Sequence, residues 1–327
     1  MALAVIRFDM RVPGLDPAQV SARYHAALDM AAWADEAGFD MCVLSEHHAS
    51  EDGYLTSPLV MAAAVAARTT RIPITISALL VPLHDPVRLA EDVTTLDLLS
   101  GGRVSFVAGL GYRPVEYELY GRAWNRRGRL LDENLDTMLQ AWSGEPFEHN
   151  GQTVRVTPAP LSRPHPPFMI GGASEKAAKR AARLGVGLFP SSPDPELAAL
   201  YREECEKLGK IPGWVAEPRG PGTVFVSEDP DATWAEIGEH LLHDAVTYHD
   251  WQPPGQTSAV HSNATTVAEL RAEGVVRIVT PEECIAIAHD VGMFGGITHH
   301  PMCGGTPPEH GWESLRLFAD KVLPHIR

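Results

Sequence analysis

Short apolar runs alternate with longer amphipathic segments along most of this chain, a rhythm that predicts parallel strands joined by helical crossovers. Apolar runs at residues 4–8, 41–44, 72–79, 104–108, 167–170, 186–189, 223–226 and 293–298 read as eight strands. The run at 72–79 is rich in β-branched residues, which suit a pleated surface. Helices are expected at 17–37, 58–68, 86–99 and 174–184, with another running from about residue 127 through Trp142. Their ends are marked chemically. Asp16 before Pro17 is a strong helix start, and Gly38, Gly101-Gly102 and Gly185 are stops that accept a left-handed backbone. Asn150-Gly151, inside 147–156, predicts a small hairpin. Two stretches break the rhythm: a polar loop at 109–127 and a Pro- and Gly-containing segment at 251–263.

Eight such units predict a single (β/α)8 TIM barrel over residues 1–327, with loop insertions at its C-terminal mouth. Such a barrel needs about 250 residues, and the surplus fits in the insertions. An open dinucleotide-binding sheet should instead show G-x-G-x-x-G directly after the first strand. Here that strand leads into Asp9-Met10-Arg11-Val12-Pro13, and Gly109-Leu110-Gly111 has Pro114 at the third-glycine position. No internal repeat or composition shift marks a domain boundary.

Composition narrows the function classes. A hydrophobic content of 44% with 21% charged residues is that of a soluble globular enzyme. The net charge of −15 argues against a nucleic-acid or anionic-membrane surface, both of which need clustered Lys and Arg. No apolar run approaches the roughly 18 residues of a spanning helix, and the N-terminal residues lack the basic region of a signal peptide. Cys42, Cys205, Cys284 and Cys303 have no paired spacing and read as reduced thiols of a cytoplasmic protein.

Polar clusters stand where strands give way to loops, the edge of a β/α barrel at which chemistry is done. Glu46-His47-His48 follows the second strand. Neighbouring side chains on a strand point to opposite faces, so the two histidines do not readily share a metal, and the H-E-x-x-H pattern is absent. One reading makes them a core residue and a loop cap; the other sets an imidazole over the mouth to move a proton near neutral pH. Small residues Ser77 and Ala78 end the third strand. Ile170-Gly171-Gly172-Ala173-Ser174 is either an ordinary strand-to-helix turn or an anion cradle, in which glycines admit the ligand and helix-start N–H groups attract it. Arg88 and Asp92 are spaced to pair on one helix face. His299-His300-Pro301-Met302-Cys303 looks superficially metal-like, but without a second cluster at ligand spacing it is read as a pocket-lining loop and no metal is expected.

In order and spacing these motifs resemble those of the bacterial-luciferase-like, flavin-dependent monooxygenases. The resemblance begins near Val5, takes in Glu46-His47-His48, the segment from Val81 to Asp92, Ser100-Gly101-Gly102-Arg103 and Gly109-Leu110-Gly111-Tyr112-Arg113, and returns at Ile170-Gly171-Gly172-Ala173-Ser174, Thr280-Pro281-Glu282-Glu283-Cys284 and Leu315-Arg316-Leu317-Phe318. It implies reduced FMN supplied by a separate NAD(P)H:flavin reductase, O2 as co-substrate, and oxygenation of a small organic substrate through a C4a-peroxyflavin. By the same resemblance His47 is the catalytic histidine and Ser77-Ala78 forms a non-prolyl cis peptide beneath the flavin. Gly171, Gly172, Ala173 and Ser174 hold the flavin phosphate, Gly109 and Gly111 form the neighbouring wall, and the protein pairs as a homodimer. Bacterial luciferase carries a phosphate-binding arginine where this chain has Leu110, which leaves Arg113 as the substitute. A related branch uses the deazaflavin F420 for hydride transfer, although the negative charge sits poorly with that cofactor's long acidic tail. A non-catalytic flavin-binding protein is the third reading.

Overall fold

The computed structural model describes residues 2–14, 16–253, 258 and 260–327. Its strands are β1 (Leu3–Phe8), β2 (Met41–Leu44), β3 (Ile74–Leu79), β4 (Val104–Ala108), β5 (Phe147–His149), β6 (Gln152–Val154), β7 (Phe168–Gly171), β8 (Gly187–Phe189), β9 (Thr223–Val226), β10 (Val276–Val279) and β11 (Gly296–His299). The helices are α1 (Pro17–Ala37), α2 (Pro58–Arg68), α3 (Pro86–Ser100), α4 (Pro114–Leu119), α5 (Arg127–Ser143), α6 (Glu175–Leu184), α7 (Pro195–Lys207), α8 (Pro230–Trp251), α9 (Val267–Glu273), α10 (Pro281–Val291) and α11 (Pro308–Leu317).

Seven parallel strands form one curled sheet in the order β11-β1-β2-β3-β4-β7-β8. β9 and β10 pair in parallel beside it, with β9 packed on β11, and the fold is TIM-barrel-like. The sheet hydrogen bonds do not run unbroken around the ring. Beyond β8 the neighbouring position is taken by the isolated bridge between Leu188 and Val215 rather than by a full strand.

The chemical signals predict the local structure well. The Asp16 carboxylate accepts from the backbone N–H groups of Ala18 and Gln19, and Gly38 ends α1 at φ 91°. Asn150 and Gly151 both adopt positive φ between β5 and β6, as the hairpin requires. Arg88 meets Asp92 at 2.9 Å. Two expectations need correction. The eight apolar runs leave out β10, the parallel partner of β9, whose apolar run is broken by the exposed Arg277. The last strand begins at Gly296 rather than 293, since Phe294 sits at φ 69° and both Met293 and Phe294 are exposed. Of the irregular stretch at 251–263, residues 254–257 and 259 lie outside the described residues.

Inward side chains Ala4, Ile6, Phe8, Leu44, Ile74, Ile76, Phe106 and Ile170 fill the core. At the C-terminal rim the strands approach so closely that only small residues fit. A Cβ on Gly109 would lie 2.7 Å from the Ala78 Cβ, and one on Gly171 would lie 2.8 Å from Val107 Cγ1. Packing alone therefore requires glycine at both positions. Gly109→Ala is expected to lower stability by about 1–3 kcal/mol through overpacking against β3. A denaturant midpoint unchanged from the parent would show that the rim is looser than these distances imply.

Candidate active site

Parallel pairing puts the C-terminal ends of β2, β3, β4 and β7 side by side on one rim. That rim carries His47 after β2, the Ser77-Ala78 peptide in β3, Gly109 and Gly111 after β4, and Gly171-Gly172 at the end of β7. The Ser77-Ala78 peptide is cis, and the register with β4 shifts between Ser77 and Leu79. Gly172 donates its N–H to the Phe189 carbonyl, and the Ser174 hydroxyl caps α6 by accepting from Ala177. Ala173 and Ser174 are exposed at this helix start.

His47 and His48 turn to different partners. His47 Nδ1 lies 2.8 Å from Glu116 Oε1, and its Nε2 lies 3.0 Å from the Tyr112 hydroxyl. The His48 backbone N–H also donates to Glu116 Oε1, at 3.0 Å. The His48 ring bridges Glu46 and the Tyr120 hydroxyl, each at 3.0 Å. Glu116 is fully buried on α4 and ties β2 to the segment after β4. Sequence reasoning missed it. Its only signal is a carboxylate near the start of a short helix, three residues beyond Arg113 in a loop noted for other reasons.

Burial pushes the His47 imidazole below its ordinary pKa, helped by the Arg113 and Arg11 charges and opposed by Glu116. The ring is therefore neutral near pH 7. Burial pushes the Glu46 carboxyl upward, but hydrogen bonds from His48 and His84, the His84 charge and the Leu80 N–H outweigh it and bring the carboxyl to about 2.

Below His47 lies a buried charge cluster. Arg11 Nη1 meets Asp52 at 2.5 Å, and its Nε lies 3.3 Å from Asp9 and 3.0 Å from Asp244. The guanidinium also faces the rings of Tyr54, Tyr248 and Trp251 at 4.5–4.8 Å. Trp251 stands 5.0 Å from the His47 ring and has Arg113 at 3.9 Å. His47 is left only 6% exposed beneath it.

Arg113 turns to the loop after β2. Its Nη1 donates to the His48 carbonyl at 2.5 Å and its Nη2 to the Ala49 carbonyl at 3.2 Å, so it braces the loop after β2. The histidine run near the end of the chain is buried rather than lining an open pocket. His299 packs on Phe39 and Phe318, and His300 lies 3.2 Å from Asp9. Among the described residues, Asp244 from α8 joins His300 and Cys303 with donor atoms within 4.8 Å of one another. Arg11 already compensates that carboxylate.

The family profile described as luciferase-like monooxygenase matches residues 5–285. The chain belongs to the luciferase-like monooxygenase family. It is 30% identical over 199 residues to the uncharacterized Sinorhizobium fredii protein y4vJ, covering 59% of this chain and 54% of that protein. With the uncharacterized protein Rv0953c of Mycobacterium tuberculosis it shares 33% over 202 residues, covering 58% and 69%. The chain thus matches about half the length of the first of these relatives. In fold it resembles the monooxygenase RslO1 of Streptomyces bottropensis, with a TM-score of 0.75, 24% identity and full coverage of both chains. It also resembles the oxygenating constituent of 3,6-diketocamphane monooxygenase of Pseudomonas putida, solved with FMN, with a TM-score of 0.72, 20% identity and coverage of 100% and 99%.

The low Glu46 pKa gives this luciferase-like protein a defined acid response. A carboxyl depressed in the folded state contributes stability above its unfolded pKa of about 4.3 and loses it as pH falls through the folded value. The contribution is roughly 3 kcal/mol. Glu46→Gln is expected to be less stable than the parent at pH 7 and to lose less stability between about pH 5 and pH 2. Parallel urea midpoints for the two proteins across that window would overturn the assignment.

Proposed function

We propose that the chain is a flavin-dependent monooxygenase that takes reduced FMN from a separate NAD(P)H:flavin reductase and uses O2 to oxygenate a small organic substrate. The observation that carries this reading is the arrangement of one continuous rim. His47, the cis Ser77-Ala78 peptide, Gly109 and Gly111, and the Gly171-Gly172-Ala173-Ser174 turn stand on four adjacent parallel strands. Adjacent strands are about 4.8 Å apart, so the row spans roughly 15 Å, enough for a tricyclic ring at one end and its phosphate tail at the other.

The residues present fit such a group. Gly171, Gly172 and Ala173 let the backbone approach, the N–H groups opening α6 attract a phosphate, and the Ser174 hydroxyl adds a polar atom. Ser191, after β8, contributes a buried hydroxyl with no partner among the described residues. With the Arg113 guanidinium bracing the loop after β2, this backbone cradle takes the place of an arginine clamp. When bound, reduced flavin supplies the oxygen chemistry. His47 holds or moves a proton at its Nε2, Glu116 fixes the ring, and Trp251 with the loop after β4 excludes water. Trp251 must swing aside for the ring to reach His47, because it covers the imidazole in this structure. Exposed Val60 on α2 and Leu99 on α3 support pairing of two copies through this side of the fold.

Photoreduced FMN bound without oxygen and then mixed with oxygenated buffer in a stopped-flow cell tests the reading. A transient absorbance band outliving that of free flavin is expected, and His47→Ala should keep FMN binding while shortening the transient by about 10²-fold. Immediate return to oxidised FMN with no binding would replace this reading by hydride transfer with F420. Tight binding with no transient, even when candidate substrates are present, would favour a flavin-binding protein.

A further inference from the structure

Three polar side chains lead from the interior to the mouth: Glu116 fully buried, His47 nearly so, and Tyr112 half-buried. Glu116 Oε1 stands 2.8 Å from His47 Nδ1, and the Tyr112 hydroxyl stands 3.0 Å from His47 Nε2. An ionised carboxylate only accepts hydrogen bonds, so Nδ1 carries the imidazole proton. A neutral ring then offers a lone pair at Nε2, and Tyr112 is its donor. Both ring nitrogens of His47 are thereby engaged within the protein. The lone pairs of the Tyr112 oxygen are what the row offers to a ligand.

We propose that Tyr112 is the catalytic residue that meets the reacting ligand, with His47 as the proton store behind it and Glu116 as the residue that positions the imidazole. The inference rests on reading this mouth as the active site. In the withdrawing direction, a ligand O–H or N–H bond breaks and its proton joins the Tyr112 oxygen. The original phenolic proton crosses to His47 Nε2, leaving an imidazolium facing the Glu116 carboxylate. One proton has moved, nothing has been oxidised, and the reverse sequence delivers a proton to the ligand.

The surroundings suit a concerted transfer. Burial, with Tyr54 and Glu116, holds the Tyr112 phenol well above its usual range, so a free tyrosinate does not accumulate. The groups facing His47 come from every element packed on it. They are Glu116, Arg113 and Tyr112 from the segment after β4, Tyr54 from the loop after β2, Arg11 from the end of β1, and Tyr248 from α8, with the uncharged Trp251 above.

The test begins on the unliganded protein with 15N-histidine labelling. His47 is expected as the Nδ1–H tautomer. Tyr112→Phe removes a donor to the neutral ring and raises the His47 pKa, whereas Glu116→Gln removes the carboxylate that favours the cation and lowers it. Opposite shifts support the relay; an Nε2–H tautomer, or shifts of the same sign, overturns it. With photoreduced FMN and oxygen, Tyr112→Phe is expected to slow proton-dependent decay of the transient by about 10²-fold and to flatten its pH profile. An unaltered profile overturns the catalytic role of Tyr112. The NMR signature with no FMN binding keeps the relay and overturns only the flavin reading.

Discussion

The mouth of this barrel is organised around one buried cation. Arg11 is fully enclosed, and its guanidinium gathers Asp9 from its own segment, Asp52 from the loop after β2 and Asp244 from α8. A charge so deep in the protein is tolerable only when paired, so these elements must converge. The Asp9 and Asp52 carboxyls lie well below their usual range because neighbouring cations and hydrogen bonds outweigh burial, while burial dominates at Asp244 and raises it. Arg7 joins the group through the Tyr248 hydroxyl at 2.7 Å, and Tyr248 in turn meets Tyr54 at 2.7 Å. The aromatic wall around His47 is thus anchored to the charge cluster beneath it.

That dependence explains why α8 reaches the mouth at all. It is a 22-residue helix whose buried Asp244 and Tyr248 face Arg11 and Arg7, and Trp251 at its end is carried over His47 as a consequence. The Arg113 guanidinium lies 3.9 Å from the same indole. Any opening of the mouth therefore has to displace Trp251 from two cations. Asp244 anchors the helix two turns before Trp251, and Tyr248 anchors it one turn before.

Local chemistry made the elements legible, because caps, stops and turn residues act within a few positions. The β2 ending with its histidines, the glycine turn after β7 and the small residues ending β3 were legible for the same reason. What the sequence withheld is long-range. Glu116 reaches His47 and His48 across 69 and 68 positions, and Asp244 reaches Arg11 from another end of the chain. Nothing in the spacing of those residues announces the pairing. The partners of Arg113 were hidden for a related reason. Carbonyl oxygens are acceptors as carboxylates and phosphates are, and the loop after β2 places two of them within its reach.

The rim glycines show how far a motif supports function. At Gly109 and Gly171 a side chain would strike Ala78 and Val107, so packing between strands demands glycine whether or not a ligand is ever bound. Gly172 at φ 137° and Gly111 at φ 72° are fixed by backbone conformation. None of the four therefore distinguishes a cofactor site from a tight turn by itself. The His47–Glu116 pair is different in kind. A buried carboxylate against an imidazole is weak evidence for stability, because desolvation offsets much of the attraction between the two groups. It does, however, hold one ring nitrogen in one protonation state, which is the property a proton-handling site requires and a strand-packing site does not.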